Sequence, residues 1–441
     1  MTLWQPWSLT ELVADLAAGC TTADAALRRS RERIAATEPR VRAWVEHGGG
    51  ALTPQVTADA AGTADTDPPR PVRGPLAGVP FGVKDIIDVA GRPTRCGSAL
   101  RADARPAAQD AAIVRAWREA GAVVAGKTVT TEFAFFAPGP TRNPAALEPE
   151  HTPGGSSSGS AAAVACGQVP LAIGSQTAGS VTRPAAYCGV ASLVMTHGRF
   201  PTDGVVGLGP SLDSHGLYAA RTADLALAWR ALTGEDASGQ VGTRAGTGSA
   251  PRILVWSAAA VGGVSDAMRQ ALDTARGRLT AAGATVDELP EPAERLVAEL
   301  TAAHPVIMAY EAARERAAEL ARADRLSAPL SALLRTGTAT PREEYEAALR
   351  TVEAGRARVS ALLTSYDVVL GPAAPGAAPA GLDATGDPVL SRAWQALGLP
   401  AVTVPGLRDE AGLPLGLQAI GPARGEARLL ARGTWIEDAL R

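Results

Sequence analysis

Residues 152–189 are TPGGSSSGSAAAVACGQVPLAIGSQTAGSVTRPAAYCG, the stretch with the clearest structural pattern in this 441-residue chain. After a run of glycines and serines, the small side chains of SAAAVACGQV predict a helix that packs closely against its neighbours. PLAIGS then predicts a buried strand, and QTAGS predicts a turn of small residues. Backbone N–H groups at 177–180 are expected to converge on an oxyanion at that turn. Taken singly, each serine here is better explained by a turn or a helix cap.

Strand and helix patterns alternate on both sides of this stretch. The predicted buried strands are GVPFGVKDIIDV, GAVVAGK, ILVW and DVVLGP. The predicted helices are DAAIVRAWREAG and residues 8–37, 265–282 and most of 291–363. The predicted loops are residues 51–70, 238–251 and 372–388. This alternation predicts a sheet covered by helices on both faces, and the helical segment 291–363 shows no recognisable catalytic motif.

Charge and cysteine usage narrow the class of protein. A net charge of −3 gives no reason to expect nucleic acid or an anionic membrane as a partner. The four cysteines lack CxxC or metal-binding spacing, which favours free thiols in a reducing compartment. The N-terminus lacks the basic and apolar regions of a signal peptide, and no apolar run is long enough to span a bilayer. These features predict a cytoplasmic protein.

Lysine is almost absent from the chain. Of the 42 lysines and arginines, only Lys84 and Lys127 are lysines. Arginine stays protonated in proteins, whereas a buried lysine can lose its proton and act as a base. The two lysines are therefore candidates for amine chemistry. Chance retention, or a role in a buried salt bridge, is an equally good explanation for each of them.

Residues 121–128, GAVVAGKT, match the P-loop pattern GxxxxGK[ST] and would place Lys127 on nucleotide phosphates. A P-loop needs an exposed backbone that wraps an anion. The intervening Ala-Val-Val-Ala predicts a buried strand instead, and the following VTTEFAFF is a poor helix start. We therefore expect a chance match.

Residues 155–159, GSSSG, match the GxSxG nucleophile elbow with Ser157 at its tip. His197, His215 and His304 lie downstream as candidate partners for that serine. An elbow follows a strong hydrophobic strand, however, and the preceding TRNPAALEPEHTPGG is polar and rich in proline. The elbow is therefore not expected.

Taken together, the motifs resemble the amidase signature family. Its hallmark is a GGSS run followed, 24 residues after Ser156, by Ser180 in a GSxxxPAAxCG context. GVPFGVKD, with its lysine 72 residues before Ser156, is similar to the family's lysine motif. PSLDSHGLYAARTADLAL (210–227) and GLPAVTVPGL…GLPLGLQAIGP (398–422) also resemble family blocks. The similarity is strong over 71–230 and 388–436, and it is closest to a bacterial subgroup with a QTxGSxxRPA motif.

The resemblance implies one α/β/α domain over residues 1–441, built on a mixed, mostly parallel central sheet. Within that domain, residues 71–230 would form the signature core. Residues 251–365 would form a divergent helical middle, and 388–436 would complete the sheet.

The resemblance also implies a Ser–Ser–Lys triad. Ser180 would be the nucleophile and Lys84 the base, with Ser156 bridging them next to a cis peptide bond. The family's oxyanion hole maps onto the backbone of Thr177, Ala178, Gly179 and Ser180. Lysine can serve as this base only when neutral, which requires burial to lower its pKa far below about 10.4. Lys127 falls in a family block where it would be structural.

The same resemblance bears on substrate and partners. It implies no metal and no cofactor, and an acyl pocket near Ala134, Phe135 and Phe136. For the aromatic residues here, including Phe133, packing in the core is an equally good prediction. The predicted function is hydrolysis of a carboxamide through an acyl-enzyme. The alternatives are an amidotransferase A-type subunit that passes ammonia to a partner, and a catalytically silent scaffold or binding protein. The expected ligand is a small amide, and a homodimer stays open.

Overall fold

The computed structural model describes residues 3–45, 73–236 and 250–441. The predicted loop at 51–70 and most of the predicted loop at 238–251 lie outside the described residues. The predicted loop at 372–388 lies between a strand and a helix, as expected.

One sheet contains all the described strands. They are β1 (Pro80–Lys84), β2 (Val123–Thr128), β3 (Leu171–Gln176), β4 (Ala191–Val194), β5 (Ser214–Ala219), β6 (Arg252–Val255), β7 (Thr285–Glu288), β8 (Val368–Pro372), β9 (Ala401–Arg408) and β10 (Pro414–Ile420). Their order across the sheet is β2-β1-β3-β5-β4-β9-β10-β8-β6-β7. The pairs β2-β1-β3 and β8-β6-β7 are parallel, and the pairs between them are antiparallel. The predicted α/β class with a mixed sheet is confirmed.

The described α-helices pack on this sheet and on one another. They are α1 (Leu9–Ala17), α2 (Ala23–Val41), α3 (Ala112–Glu119), α4 (Ser158–Ala165), α5 (Thr182–Cys188), α6 (Thr222–Thr233), α7 (Asp266–Ala281), α8 (Glu291–Glu315), α9 (Ala317–Leu320), α10 (Ala328–Ala339), α11 (Arg342–Ser365), α12 (Val389–Ala396) and α13 (Glu426–Ala439). No helix in the described ranges combines the length and apolar character needed to cross a membrane.

Two sequence predictions need correction. The helical pattern at 8–37 is split into α1 and α2, because Thr22 starts a new helix by accepting the N–H of Ala25. The strand predicted over GVPFGVKDIIDV ends at Lys84, because the amides of Ile86 and Ile87 turn back to the Lys84 carbonyl. Lys84 therefore lies at the carboxyl end of a strand, where α/β proteins commonly bind ligands.

Helix α4 packs against the sheet more closely than larger residues would allow. All eight of its residues are buried. A Cβ atom at Gly159 would lie 2.2 Å from the carbonyl oxygen of Ala43 and 2.4 Å from the amide nitrogen of Val129. The small-residue helix predicted from the sequence is confirmed, and Ser157 just before it hydrogen bonds to the Ser175 carbonyl of β3.

The helical middle of the chain is centred on α8. This 25-residue helix packs against α10, α11 and α12, and its buried residues lie along most of its length. Gly337 of α10 lies so close to α8 that a Cβ there would overlap the carbonyl oxygen of Ala309. Helix α8 is thereby fixed beside the carboxyl end of β3, where the candidate site lies.

Candidate functional site

Lys84 is buried at the end of β1 and surrounded by hydroxyl groups. Its Nζ atom lies 2.7 Å from Oγ of Ser156 and 2.9 Å from Oγ of Ser175. The Ser175 carbonyl oxygen is 3.2 Å from the same nitrogen. The side chain is fully inaccessible to solvent. The predicted contact between Lys84 and Ser156 is therefore present across 72 residues of sequence.

Burial changes the proton affinity of this amine. Desolvation lowers the pKa of Lys84 to about 7, and electrostatic interaction, chiefly with Asp213, opposes the shift. An amine with that pKa is substantially neutral near pH 7 and can accept a proton. The burial that a base role requires of Lys84 is therefore present.

Ser156 contacts Lys84 and lines the same cavity as Ser180. The Gly155–Ser156 peptide bond is cis, as the resemblance implies. Arg183 donates from Nη2 to the carbonyl oxygen of Gly155 at 2.7 Å, and the N–H of Thr131 donates to that of Ser156 at 3.2 Å. The two bonds hold the backbone on both sides of the cis bond.

Ser180 lies in the turn between β3 and α5, and Gln176 organises this turn. The Gln176 Oε1 atom accepts the N–H groups of Val181 at 2.9 Å and Thr182 at 3.0 Å, which are free donors at the start of α5. Tyr218 donates its hydroxyl to the carbonyl of Ser180 at 3.2 Å. Ser180 is 8% exposed and lines the same cavity as Ser156.

Three consecutive amides in this turn are available to a ligand. Within the described ranges, the N–H groups of Ala178, Gly179 and Ser180 have no hydrogen-bond acceptor. The N–H of Thr177, also assigned to the oxyanion hole by the resemblance, has no acceptor in these ranges either, and the Thr177 carbonyl oxygen lies 2.8 Å from Nε2 of His304. Consecutive unengaged N–H donors beside a serine hydroxyl are what an oxyanion hole requires.

The predicted pocket residues divide between cavity and core. Ala134, Phe135 and Phe136 line the cavity that contains Ser180, together with Leu208, Met308 and Pro388. Phe133 is 1% exposed and belongs to the hydrophobic core. The cavity also has a cationic wall formed by Arg183.

Lys127 lies in β2 and does not form part of a phosphate-binding loop. Residues 123–128 form a strand paired with β1, and Lys127 is 1% exposed. Its Nζ atom contacts Oδ1 of Asp85 at 2.8 Å and Oγ1 of Thr94 at 3.0 Å. The expected chance match to the P-loop pattern agrees with this geometry.

Ser157 is not placed as a nucleophile elbow. It is completely buried, follows a loop rather than a strand, and hydrogen bonds with its Oγ to the carbonyl of Ser175 at 3.3 Å. The three histidines considered as its partners bond to backbone carbonyls, His197 to Pro210, His215 to Pro201 and His304 to Thr177.

Several polar residues at the site were not selected from the sequence. Arg183 and Asp213 belong to quoted family-like segments, so their position in a motif was a usable signal. His304 belongs to α8, where the sequence offered none. Asp213 is half-buried, and desolvation raises the pKa of its carboxyl while the bond from Thr177 opposes that shift. In the described ranges, no three His, Cys, Asp or Glu side chains are grouped as around a metal ion.

The chain is similar to known proteins over most of its length. Residues 25–430 match the model of the family described as Amidase. The A-type subunit of the glutamyl-tRNA(Gln) amidotransferase of Rhodopirellula baltica is 31% identical over 492 residues, covering 98% of this chain and 96% of that protein. A crystal structure of an amidase is similar with a TM-score of 0.83 and 28% identity, over 98% of this chain and 99% of that one. The corresponding amidotransferase chain of Thermotoga maritima has a TM-score of 0.73 and 26% identity, over 93% and 89% of the two chains.

Proposed function

The chain belongs to the amidase family, and from that membership we propose that it cleaves the C–N bond of a linear carboxamide through an acyl-enzyme on Ser180. The observation that carries this proposal is the buried contact between Lys84 and Ser156 beside the Ser180 turn. A serine hydroxyl is a weak nucleophile and needs a base within reach. A neutral lysine acting through a bridging serine supplies that base.

The proposed reaction begins with attack on the substrate carbonyl. The Ser180 Oγ–C bond forms while the Ser180 proton moves to Oγ of Ser156, and the Ser156 proton moves to Nζ of Lys84. The carbonyl electron pair moves to oxygen, where the N–H groups of Ala178, Gly179 and Ser180 stabilise the charge. Such preorganised donors are commonly the largest single contribution to catalysis in acyl transfer.

Collapse of this intermediate reverses the proton path. The C–N bond breaks, Ser156 gives its proton to the leaving nitrogen, and the Lys84 ammonium returns a proton to Ser156. Ammonia or an amine departs, and an ester on Ser180 remains. Water then attacks that ester with the same proton relay, releasing the carboxylic acid and free Ser180.

The position of Arg183 favours a substrate whose acyl group carries an anion or a carbonyl. It is buried, and its Nε and Nη1 atoms have no hydrogen-bond partner in the described part of the chain. Burial lowers the pKa of its guanidinium to about 10, so the group is charged at neutral pH. The same cavity is lined by Phe135 and Phe136. A short acyl chain with a polar end matches both features.

The second candidate is an amidotransferase role, in which the chain would pass the released ammonia to an acceptor held by partner subunits. The observation that favours it is the similarity to the amidotransferase A-type subunit of Rhodopirellula baltica, which is 31% identical over nearly its whole length. Both candidates share acyl-enzyme formation at Ser180 and differ in the fate of ammonia. A cytoplasmic location is compatible with either candidate function. A silent scaffold is disfavoured by the Lys84–Ser156 contact.

Ser180→Ala tests the shared step. The variant should lose ammonia release from a panel of short aliphatic, aromatic and urea-like amides and should no longer react with a fluorophosphonate probe. Ser157→Ala is the matched control and should keep both properties. Labelling of the wild type at Ser157 in place of Ser180 would overturn the proposal.

Ammonia release by the purified chain, measured with and without partner subunits, separates the two candidate functions. Steady ammonia release from a simple amide without any partner supports the amidase. Ammonia release from glutamine that occurs only with the partner subunits and glutamyl-tRNA(Gln) of a related complex supports the amidotransferase.

A further inference from the structure

His304 connects the helical middle of the chain to the candidate oxyanion turn. It lies on α8, is completely buried, and its Nε2 atom is 2.8 Å from the carbonyl oxygen of Thr177. Because a carbonyl only accepts, Nε2 must carry the proton and donate. Desolvation lowers the pKa of His304 to about 4, so the ring is neutral at working pH and keeps this single donor.

The direction of that bond determines the direction of the next amide. The peptide bond between Thr177 and Ala178 is trans, so its C=O and N–H point in opposite directions in one plane. With the carbonyl oxygen held by His304, the N–H of Ala178 points away from α8. This N–H has no acceptor within the described ranges, and Ala178 lines the cavity with Ser180. A donor to the carbonyl also polarises the N–H of the same peptide unit.

Helix α8 also supports the Thr177 side chain indirectly, through the loop that precedes β5. Thr177 donates its hydroxyl to Oδ1 of Asp213 at 2.5 Å. The loop that ends in Asp213 is anchored by Glu311 of α8, which accepts the N–H of Ser211 at 2.9 Å and its hydroxyl at 2.5 Å. His304 and Glu311 are seven residues apart and therefore share one face of α8. One helix thus acts on both the backbone and the side chain of Thr177.

We propose that His304 is a positioning residue of the reaction, which holds the Thr177 carbonyl so that the N–H of Ala178 is directed at the oxyanion on Ser180's substrate. This inference rests on the proposed function. It assigns no proton transfer to His304, whose donor atom is already engaged. It also gives α8, which shows no catalytic motif in the sequence, an indirect part in transition-state stabilisation.

The test uses two neutral amides of different reach. In His304→Gln, the side-chain NH₂ lies near the former Nε2 position and can still donate to Thr177. In His304→Asn, the NH₂ lies near the former Nδ1 position and falls short. Thr301→Val is the matched control, because the Thr301 hydroxyl is also buried on α8 but bonds only to Val297 of its own helix.

The readout is the second-order rate constant for labelling of Ser180 by a fluorophosphonate, whose phosphonyl oxygen also needs the oxyanion donors. His304→Asn should react about 10- to 100-fold more slowly, within the loss known for removal of one such donor. His304→Gln and Thr301→Val should stay within about threefold of wild type. With an amide substrate, His304→Asn should lower kcat and leave KM nearly unchanged.

The outcomes separate this inference from the proposed function. If the wild type is not labelled at Ser180, the proposed function fails and this inference with it. If the wild type is labelled and His304→Asn reacts as fast as His304→Gln, the inference alone is overturned. Equal slowing of both His304 variants and of Thr301→Val also overturns it, because the effect would then come from loss of helix packing.

Discussion

Lys127 and Asp85 form a buried ion pair on the side of the sheet opposite to Lys84. The Nζ–Oδ1 distance is 2.8 Å, and the side chains are 0% and 1% exposed. In the register of β1 and β2, Lys127 pairs with Val83, whereas Lys84 pairs with Thr128. Because neighbouring residues of a strand point to opposite faces, the two lysines of this chain are directed away from each other. One lysine faces the serines and the other neutralises a carboxylate.

We therefore expect Lys127→Met to reduce stability by about 3–5 kcal/mol, since it would leave the Asp85 carboxylate buried without its partner. The free energy of unfolding from denaturant titration measures this loss. Adding Asp85→Asn to the same variant should restore part of it by removing the unpaired charge. A Lys127→Met protein as stable as wild type would show that the pair contributes nothing to the fold.

Lys84→Arg should be nearly as inactive as Lys84→Ala. Arginine keeps the positive charge but does not release its proton at working pH, so it cannot act as the base. The expected loss in kcat is at least about 10²-fold, the usual size of a general-base effect. Lys127→Arg is the control, and its folded fraction should retain most of the turnover. Near-wild-type turnover of Lys84→Arg would rule out the Ser–Ser–Lys mechanism.

The pH dependence of kcat/KM should follow the unusual proton affinity of Lys84. Burial lowers the pKa of this amine to about 7, and only the neutral form can accept a proton. The rate should therefore rise about tenfold per pH unit below pH 7 and level off above it. A profile that continues to rise toward pH 10 would instead indicate a lysine with ordinary solvation.

The same burial predicts a pH-dependent difference in stability between the wild type and Lys84→Met. The pKa of Lys84 is lower in the folded state than in the unfolded chain, so the unfolded state binds more protons between about pH 7 and pH 10.5. Wild-type stability should rise relative to Lys84→Met through that window. The free energy of unfolding of Lys84→Met, relative to that of the wild type, should therefore be highest below pH 7. Thermal unfolding of both proteins over pH 6–10 measures it, and parallel curves would contradict the expectation.

Arg183 should set a preference for anionic acyl groups. Arg183→Met should lower kcat/KM for an ω-carboxylate amide about tenfold or more relative to an uncharged amide of the same length, since hydrogen bonds to charged groups contribute about 1.5–3 kcal/mol. The uncharged amide is the internal control for the contact of Arg183 with Gly155. An unchanged ratio, with both substrates slowed equally, would limit Arg183 to holding the Gly155 carbonyl.

Local sequence patterns predicted much of the fold because most elements have strong periodicity. The strands at β2, β3, β6 and β8 and the helices α3, α4 and α7 lie where apolar and small residues repeat with the expected period. The break between α1 and α2 was missed, because continuous helical spacing conceals a cap such as Thr22. The end of β1 at Lys84 was missed for a similar reason, since DIIDV is as apolar as a strand but forms a turn.

The sequence by itself determined which residue types stand in the Lys84, Ser156 and Ser180 motifs, because each motif is local and its composition is visible in the chain. Only the tertiary structure decided what the remaining polar groups do. The register of β1 and β2 directs Lys127 to Asp85, and the packing of α8 brings His304 to a carbonyl 127 residues away in sequence. The sequence pattern around a helical histidine is the same whether its side chain only fills the core or also hydrogen bonds to a peptide carbonyl. The role of the histidine depends on which group lies opposite its one N–H donor. That group is determined by packing contacts between residues far apart along the chain.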